Sequence, residues 1–310
     1  MQTRYLKSDL LLLLSATIWG FAFVAQRMGM DHVGPFTFNG IRFFLGAVVV
    51  IPFIARNSQQ QLPKKGASAG VLGKRALFFY GALAGLTIFA GASLQQVGLV
   101  YTTAGKAGFI TSLYVVMVPL MGSAWGQRTR AGTWGGALIA AVGMYLLSVN
   151  EDFTIAFGDL LELMGAVFWA CHIHLIGWLS PKTDSLQLAF VQFMVCAAAS
   201  LVTAVMVETI RVADLMAAAL PILYGGVLSV GVAYTLQVVA QRHAHPAHAA
   251  ILLSLEAVFA AVGGWLILGE VMSVRGLIGC LLMFTGMLVS QLYDLVVKMD
   301  PLVGSPPPYD

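Results

Sequence analysis

The chain has 310 residues, 59% of them in the apolar set AVILMFWYC and only 10% charged. A soluble domain carries about 45–50% apolar residues with glycine counted, and about 25% charged ones. A chain this long and this apolar could not cover itself with polar surface. That excludes a soluble enzyme, a disordered chain and a nucleic-acid binder, and points to a polytopic membrane protein.

A membrane helix needs about 20 mostly apolar residues. Ten stretches meet that demand, near 9–28, 34–55, 75–99, 103–125, 131–149, 157–179, 185–207, 216–240, 246–268 and 274–297. The first follows Arg4 and Lys7 and could imitate a signal peptide. It is long for a signal core and no Ala-x-Ala site closes it, so it reads as an uncleaved first helix. Only 56–74 reads as a true loop, and 301–310, with Pro306, Pro307 and Pro308, as a flexible tail. Cys171, Cys196 and Cys280 lie scattered inside apolar stretches, which suits neither a disulfide framework nor a zinc site.

The net charge of +3 is small, so the position of the charges matters more than their sum. With the N-terminus in the cytoplasm, the inner segments hold Arg4, Lys7, Arg56, Lys64, Lys65, Lys74, Arg75, Arg128, Arg130, Lys182, Arg242 and Lys298. The outer ones hold only Arg27, Arg211 and Arg275. By the positive-inside rule both termini are cytoplasmic, in a plasma (inner) membrane.

The two halves resemble each other. Asp9 and Trp19 recur as Asp159 and Trp169, and Arg42-Phe43 aligns with Gln192-Phe193 at the same offset. Tyr80-Gly81 returns as Tyr224-Gly225, Leu94-Gln95 as Leu236-Gln237, and Ser112-Leu113 as Ser254-Leu255. Gly136, Gly143 and Met144 return as Gly279, Gly286 and Met287. Five helices per half is an odd number, so the second half enters the membrane from the opposite side. The expected fold is therefore an all-α integral membrane protein of ten transmembrane helices in two inverted five-helix repeats, 1–150 and 151–300. Inverted repeats are the architecture of many secondary transporters, with substrate at the midplane between the halves.

The segment from His245 through Ser254-Leu-Glu256 to Gly264-Trp-Leu-Ile-Leu-Gly-Glu270 resembles the EamA-type transporters of the drug/metabolite transporter superfamily. Its first-half counterpart runs from Thr103 through Gly105-Lys106 and Tyr114 to Pro119, and Trp19-Gly20 fits the same pattern. Ala257 departs from it, because the family usually has proline after the glutamate. The resemblance implies a ten-helix, gradient-driven exporter of amino acids and related metabolites, with helices 1, 3, 4, 6, 8 and 9 lining the pathway.

Six residues are the candidates for the substrate cavity. Glu256 lies near mid-bilayer, where a carboxylate is expensive and functional by default; it could bind an ammonium group or carry a proton. Tyr114 is its counterpart, either facing the same cavity or bonding to a neighbouring helix. Trp19 and Trp169 sit mid-span rather than in the interfacial belt, as cavity walls or as bulky packing. Gln95 and Gln237 suit a zwitterion, although plain interhelical hydrogen bonds are the simpler reading.

Lys106 and His248, related by the repeat, are candidate gating or coupling residues near opposite faces. Arg42, deeper in its span, reads as structurally partnered. His243, His245 and His248 beside Arg242 read as a solvated basic loop rather than a metal site, and His172 and His174 point to different sides of one helix. The paired glycines of helices 5 and 10 read as close packing.

No phosphate loop, Gly-x-Ser-x-Gly or His-Glu-x-x-His occurs, so neither ATP drive nor hydrolysis is expected. No metal or other cofactor is expected either. The partners are then the lipid bilayer, a small-molecule substrate and, left open, a second copy of the chain. An uptake carrier for a vitamin or nucleotide-like molecule stays open, and so, more remotely, does a membrane-embedded enzyme or metal-handling protein.

Overall fold

The computed structural model describes residues 2–60, 73–124, 131–148, 155–244 and 246–299. The centre of the expected loop, the basic residues Arg128 and Arg130, His245 and the 301–310 tail lie outside these. Among the described residues the chain is all helix. Apolar solvent offers no partner for a free backbone N–H or C=O, and a helix satisfies both internally.

Helix α1 spans Gln2–Gly29, α2 Pro35–Gln60 and α3 Lys74–Tyr101. The fourth stretch is broken into α4 (Ala104–Thr111) and α5 (Tyr114–Ala124). Then come α6 (Ala131–Ser148), α7 (Phe157–Leu179) and α8 (Ser185–Val207). The eighth stretch passes through short helices α9 (Val212–Ala217) and α10 (Ala219–Leu223), a π-helical run Tyr224–Tyr234 and α11 (Thr235–Ala240). The ninth is broken again, into α12 (Pro246–Ser254) and α13 (Glu256–Leu268), and α14 spans Val274–Met299. Among the described residues eight helical stretches are long and apolar enough to cross a membrane, and two shorter apolar ones run Trp134–Leu147 and Val274–Val289.

Large apolar side chains such as Phe78, Phe79, Leu138, Val205, Met206, Trp265 and Leu281 face outward. On a water-soluble monomer such a belt would be an anomaly; around a membrane protein it is the lipid-facing surface. Inside, small residues let the helices approach. A Cβ on Gly143 of α6 would lie 2.6 Å from the Gly279 carbonyl oxygen of α14, and one on Gly279 would lie 2.7 Å from that of Gly143. The expected glycine packing of helices 5 and 10 is thus present, backbone against backbone.

The two broken helices break at matching places. The Ser112-Leu113 turn ends α4, and Leu255 separates α12 from α13. Three-residue bonds such as Val115 N to Ser112 O (3.0 Å) and Val258 N to Leu255 O (3.1 Å) replace the α-helical ladder there. The break beside Glu256 forms with Ala257 in place of proline. Tyr114 and Glu256 each become the first residue of a half-helix, where its partial positive dipole begins.

Candidate functional site: a central cavity and two ion pairs

Between these helices lies a small cavity of about 40 Å³. All six residues expected at the site, Trp19, Gln95, Tyr114, Trp169, Gln237 and Glu256, line it. It is also lined by Gln26, Arg42, Thr111, His172, Ser229 and Tyr234. Neither Lys106 nor His248 reaches it.

Tyr234 is the hub of the aromatic wall. Its ring centroid is 4.5 Å from that of Trp19, 6.1 Å from Trp169, 5.9 Å from Phe43 and 6.0 Å from Phe193. Trp19 is held by a hydrogen bond from Nε1 to the Ser229 carbonyl, 3.1 Å away. That carbonyl lies in the π-helical run, a kind of turn frequent at functional sites. Among the described residues Trp169 Nε1 has no hydrogen-bond partner.

The polar groups of the cavity are only partly satisfied. Glu256 is 4% exposed, and among the described residues no cation pairs with it. The Tyr114 hydroxyl is its electrostatic neighbour but makes no hydrogen bond of ordinary geometry. Gln237 lines the cavity wall, and among the described residues its buried Oε1 has no hydrogen-bond partner. His172 lies on the cavity, with Nε2 3.1 Å from Gln192 Oε1, whereas His174 Nε2 turns away to the Val118 carbonyl at 2.7 Å. Arg42 does have the partner expected of it, Asn39, yet it also faces the cavity.

Lys106 and His248 each meet an aspartate far away in sequence. Lys106 Nζ is 2.7 Å from Asp159 Oδ2, and Thr102 Oγ1 donates to Asp159 Oδ1 at 2.6 Å. His248 Nε2 is 2.7 Å from Asp9 Oδ1. Asp9 and Asp159 are the residues that align at a 150-residue offset in the sequence, and Lys106 and His248 align at 142. The two ion pairs differ in burial. The Lys106–Asp159 side chains are 26% and 0% exposed, the His248–Asp9 ones 49% and 37%.

The Lys106 end carries further ties. Gly269 takes φ 65°, a left-handed conformation that favours glycine, and ends α13. The chain then folds back so that the Glu270 carboxylate accepts from Ala104 N (2.7 Å) and Gly105 N (3.0 Å) at the start of α4. Gly264, without a side chain, makes room for it. This gives a physical role to the Gly264…Gly269-Glu270 motif. Glu208 caps α2 in the same way, through Phe36 N and Thr37 N, both at 2.8 Å. Thr111 on the cavity wall donates to Glu162 Oε2 at 3.0 Å, while Glu162 Oε1 is buried and unpartnered.

Sequence reasoning missed Tyr234, Arg42 as a cavity residue, Glu162 and the aspartate partners. For Asp9 and Asp159 a signal existed, because they align across the repeat as Lys106 and His248 do. Among the described residues no cluster of three or more His, Cys, Asp or Glu could hold a metal.

A bundle of apolar helices with a polar, aromatic-walled cavity at its centre is the build of a multi-pass membrane transporter. The chain belongs to the EamA-like transporter family, whose model matches residues 6–149 and again 156–291. A protein of Archaeoglobus fulgidus named an uncharacterized transporter is 32% identical over 93% of this chain and 87% of its own length. The uncharacterized transporter YoaV of Bacillus subtilis is 22% identical over 88% and 92%. A probable amino-acid metabolite efflux pump of Escherichia coli is 27% identical, matching 53% of this chain and 52% of the pump. One solved crystal structure shares the fold at a TM-score of 0.65 and 19% identity, covering 94% of this chain and 98% of the other.

Proposed function

We propose that this protein is a secondary transporter of the plasma (inner) membrane. It has both termini in the cytoplasm and exports an amino acid or similar small metabolite by alternating access. Its ten membrane helices form two inverted five-helix repeats, 1–150 and 151–300, with the substrate held in the central cavity by Trp19, Gln95, Tyr114, Trp169, Gln237 and Glu256.

The observation that carries this reading is the matched pair of helix breaks, after Ser112-Leu113 and Ser254-Leu255, with Tyr114 and Glu256 on one cavity. Transporters build midplane sites from such discontinuous helices. Packing supports the repeat as well. Repeat mates α2 and α8 pack together, as do α6 and α14, and α3 lies on α7 much as the Tyr224–Ala240 segment lies on α1. The family match in two successive portions and the name of the Escherichia coli pump support metabolite export.

The two ion pairs supply the gates. Lys106–Asp159 and the Glu270 and Glu208 caps close the outer end, and the solvated His248–Asp9 pair is the weaker closure of the inner end. Substrate enters past His248–Asp9, binds between the aromatic wall and Glu256, and leaves when Lys106 releases Asp159. Both pairs are formed in this structure, and opening one while the other stays closed exposes the cavity to one face at a time.

Counterflow into proteoliposomes, run against amino acids, vitamins and polyamines, tests the reading. Saturable exchange of an amino acid is expected, lost in Trp19→Ala and Trp169→Ala. Exchange of a vitamin or nucleotide-like compound alone would overturn the substrate class. An accessibility map with the N-terminus and the 56–74 loop on opposite faces would overturn the topology.

A further inference from the structure

Arg42 is a large charged residue buried in the bundle, and the gating scheme gives it nothing to do. It is 2% exposed, in the interior of α2. Among the described residues no carboxylate pairs with it. Its Nε donates to Asn39 Oδ1 at 2.9 Å, and Asn39 is itself anchored by Nδ2 to the Ala92 carbonyl of α3, also at 2.9 Å. The guanidinium carbon lies 5.0 Å from the Phe43 ring centre and 5.6 Å from that of Phe38. These contacts fix the plane of the group and use Nε. Among the described residues no hydrogen bond to the Nη pair is present, and the residue lines the central cavity.

We propose that Arg42 is the anion-binding, specificity-determining residue of the transporter, and that its Nη fork takes the carboxylate of the substrate. The inference rests on the reading of the central cavity as the substrate site. Four observations carry it. An intramembrane arginine is retained where it meets an anion or a functional cavity, and among the described residues none supplies Arg42 with an anion. The guanidinium fork matches a carboxylate with two parallel hydrogen bonds, and Asn39 holds it ready.

The repeat distributes charge unequally, which is the third point. Arg42 corresponds to neutral Gln192 and Glu256 to neutral Tyr114, so one cation and one carboxyl group remain on opposite repeats. Finally, among the described residues they do not pair with each other, although both line the cavity together with Tyr234. A cavity with separated, unpaired charges of opposite sign around an aromatic hub fits a zwitterion with an apolar body. A dianionic phosphate would leave one negative charge without a partner.

The test is ligand binding to the purified full-length chain by thermal shift. The ligands are the twenty L-amino acids and their carboxamides, together with 3-phenylpropionate and 3-phenylpropanamide. Acids should bind more tightly than the matching amides by on the order of 10- to 100-fold, the range of hydrogen bonds to a charged group. The preference should fall below about threefold in Arg42→Gln and to an intermediate value in Arg42→Lys, which keeps the charge but loses the fork. Because it is a ratio of two ligands on one preparation, a partly misfolded variant does not alter it.

Equal binding of acid and amide in the wild type, or an undiminished preference in Arg42→Gln, overturns the proposal. Amino acids bound without that preference would leave the cavity reading standing and remove Arg42 from it. Phenylpropionate bound through Arg42, with no amino acid bound, would keep the carboxylate site and remove the amino-acid reading. No binding in either series would remove both.

Discussion

Lys106→Met asks whether the Lys106–Asp159 ion pair is a latch or only a staple. Asp159 is 0% exposed and holds two donors, Lys106 Nζ at 2.7 Å and Thr102 Oγ1 at 2.6 Å. Removing the ammonium strands a carboxylate in a dry site with one hydroxyl, and breaking a buried pair in this way costs about 3–5 kcal/mol. Lys106 is 26% exposed, so water reaches that side, and the lower figure, about 3 kcal/mol, applies. An outward-open state hydrates Asp159 and escapes most of that cost. The equilibrium then moves outward on the order of 100-fold, at about 1.4 kcal/mol per factor of ten.

The assay is the labelling rate of Ser229→Cys, a cavity position, in a chain whose three native cysteines are alanine. An impermeant thiol reagent is applied from each face of sealed vesicles. Labelling from the Lys106 side should rise on the order of 100-fold, and Lys106→Met/Asp159→Asn should bring it back towards the parent. Asp9→Asn breaks the exposed pair, worth about 0–1 kcal/mol, and should change labelling from the other side by less than about tenfold. A fall in melting temperature with no change in labelling would refute the latch and leave the pair a stabiliser.

Glu256→Gln keeps volume and hydrogen-bonding reach but cannot ionise. If the carboxylate binds an ammonium group, exchange and gradient-driven flux should both fall at least about tenfold, the effect of losing one charged hydrogen bond. If it carries a proton, exchange should survive and the response to a pH gradient vanish; unchanged values in both assays exclude either role. Gly143→Ala would drive a Cβ to 2.6 Å from both Gly279 O and Met283 N. It should destabilise the protein by about 1–3 kcal/mol, as overpacking does. Gly135→Ala, with nothing within 4 Å, is the control and should be neutral or stabilising; equal melting temperatures for the two variants would contradict the α6–α14 contact.

Much of the helix plan was legible in the residues. Phe157–Leu179 and Ser185–Val207 fall where the apolar stretches put them, because in a bilayer the length of an apolar run is itself the signal. The 103–125 and 246–268 stretches were read as single helices. The breaks after Ser112-Leu113 and at Leu255 were not seen, since no proline marks either one and local propensity barely changes there. The six cavity residues were legible as polar or ring-bearing groups at mid-span, where the bilayer tolerates few without reason.

The facing of each helix was not legible. In water the buried side of a helix is an apolar stripe, but in lipid both sides are apolar, so no periodicity separates the packed face from the lipid face. That is why Tyr234 could not be told from packing and Arg42 could not be turned towards the cavity. Lys106 finds Asp159, and His248 finds Asp9, across 53 and 239 residues of chain. By itself the sequence determined that this is a helical, multi-pass membrane protein and where most of its apolar helices run. Only the tertiary structure decided which charges meet and which line the cavity, because those depend on helix rotation and approach, set by long-range packing.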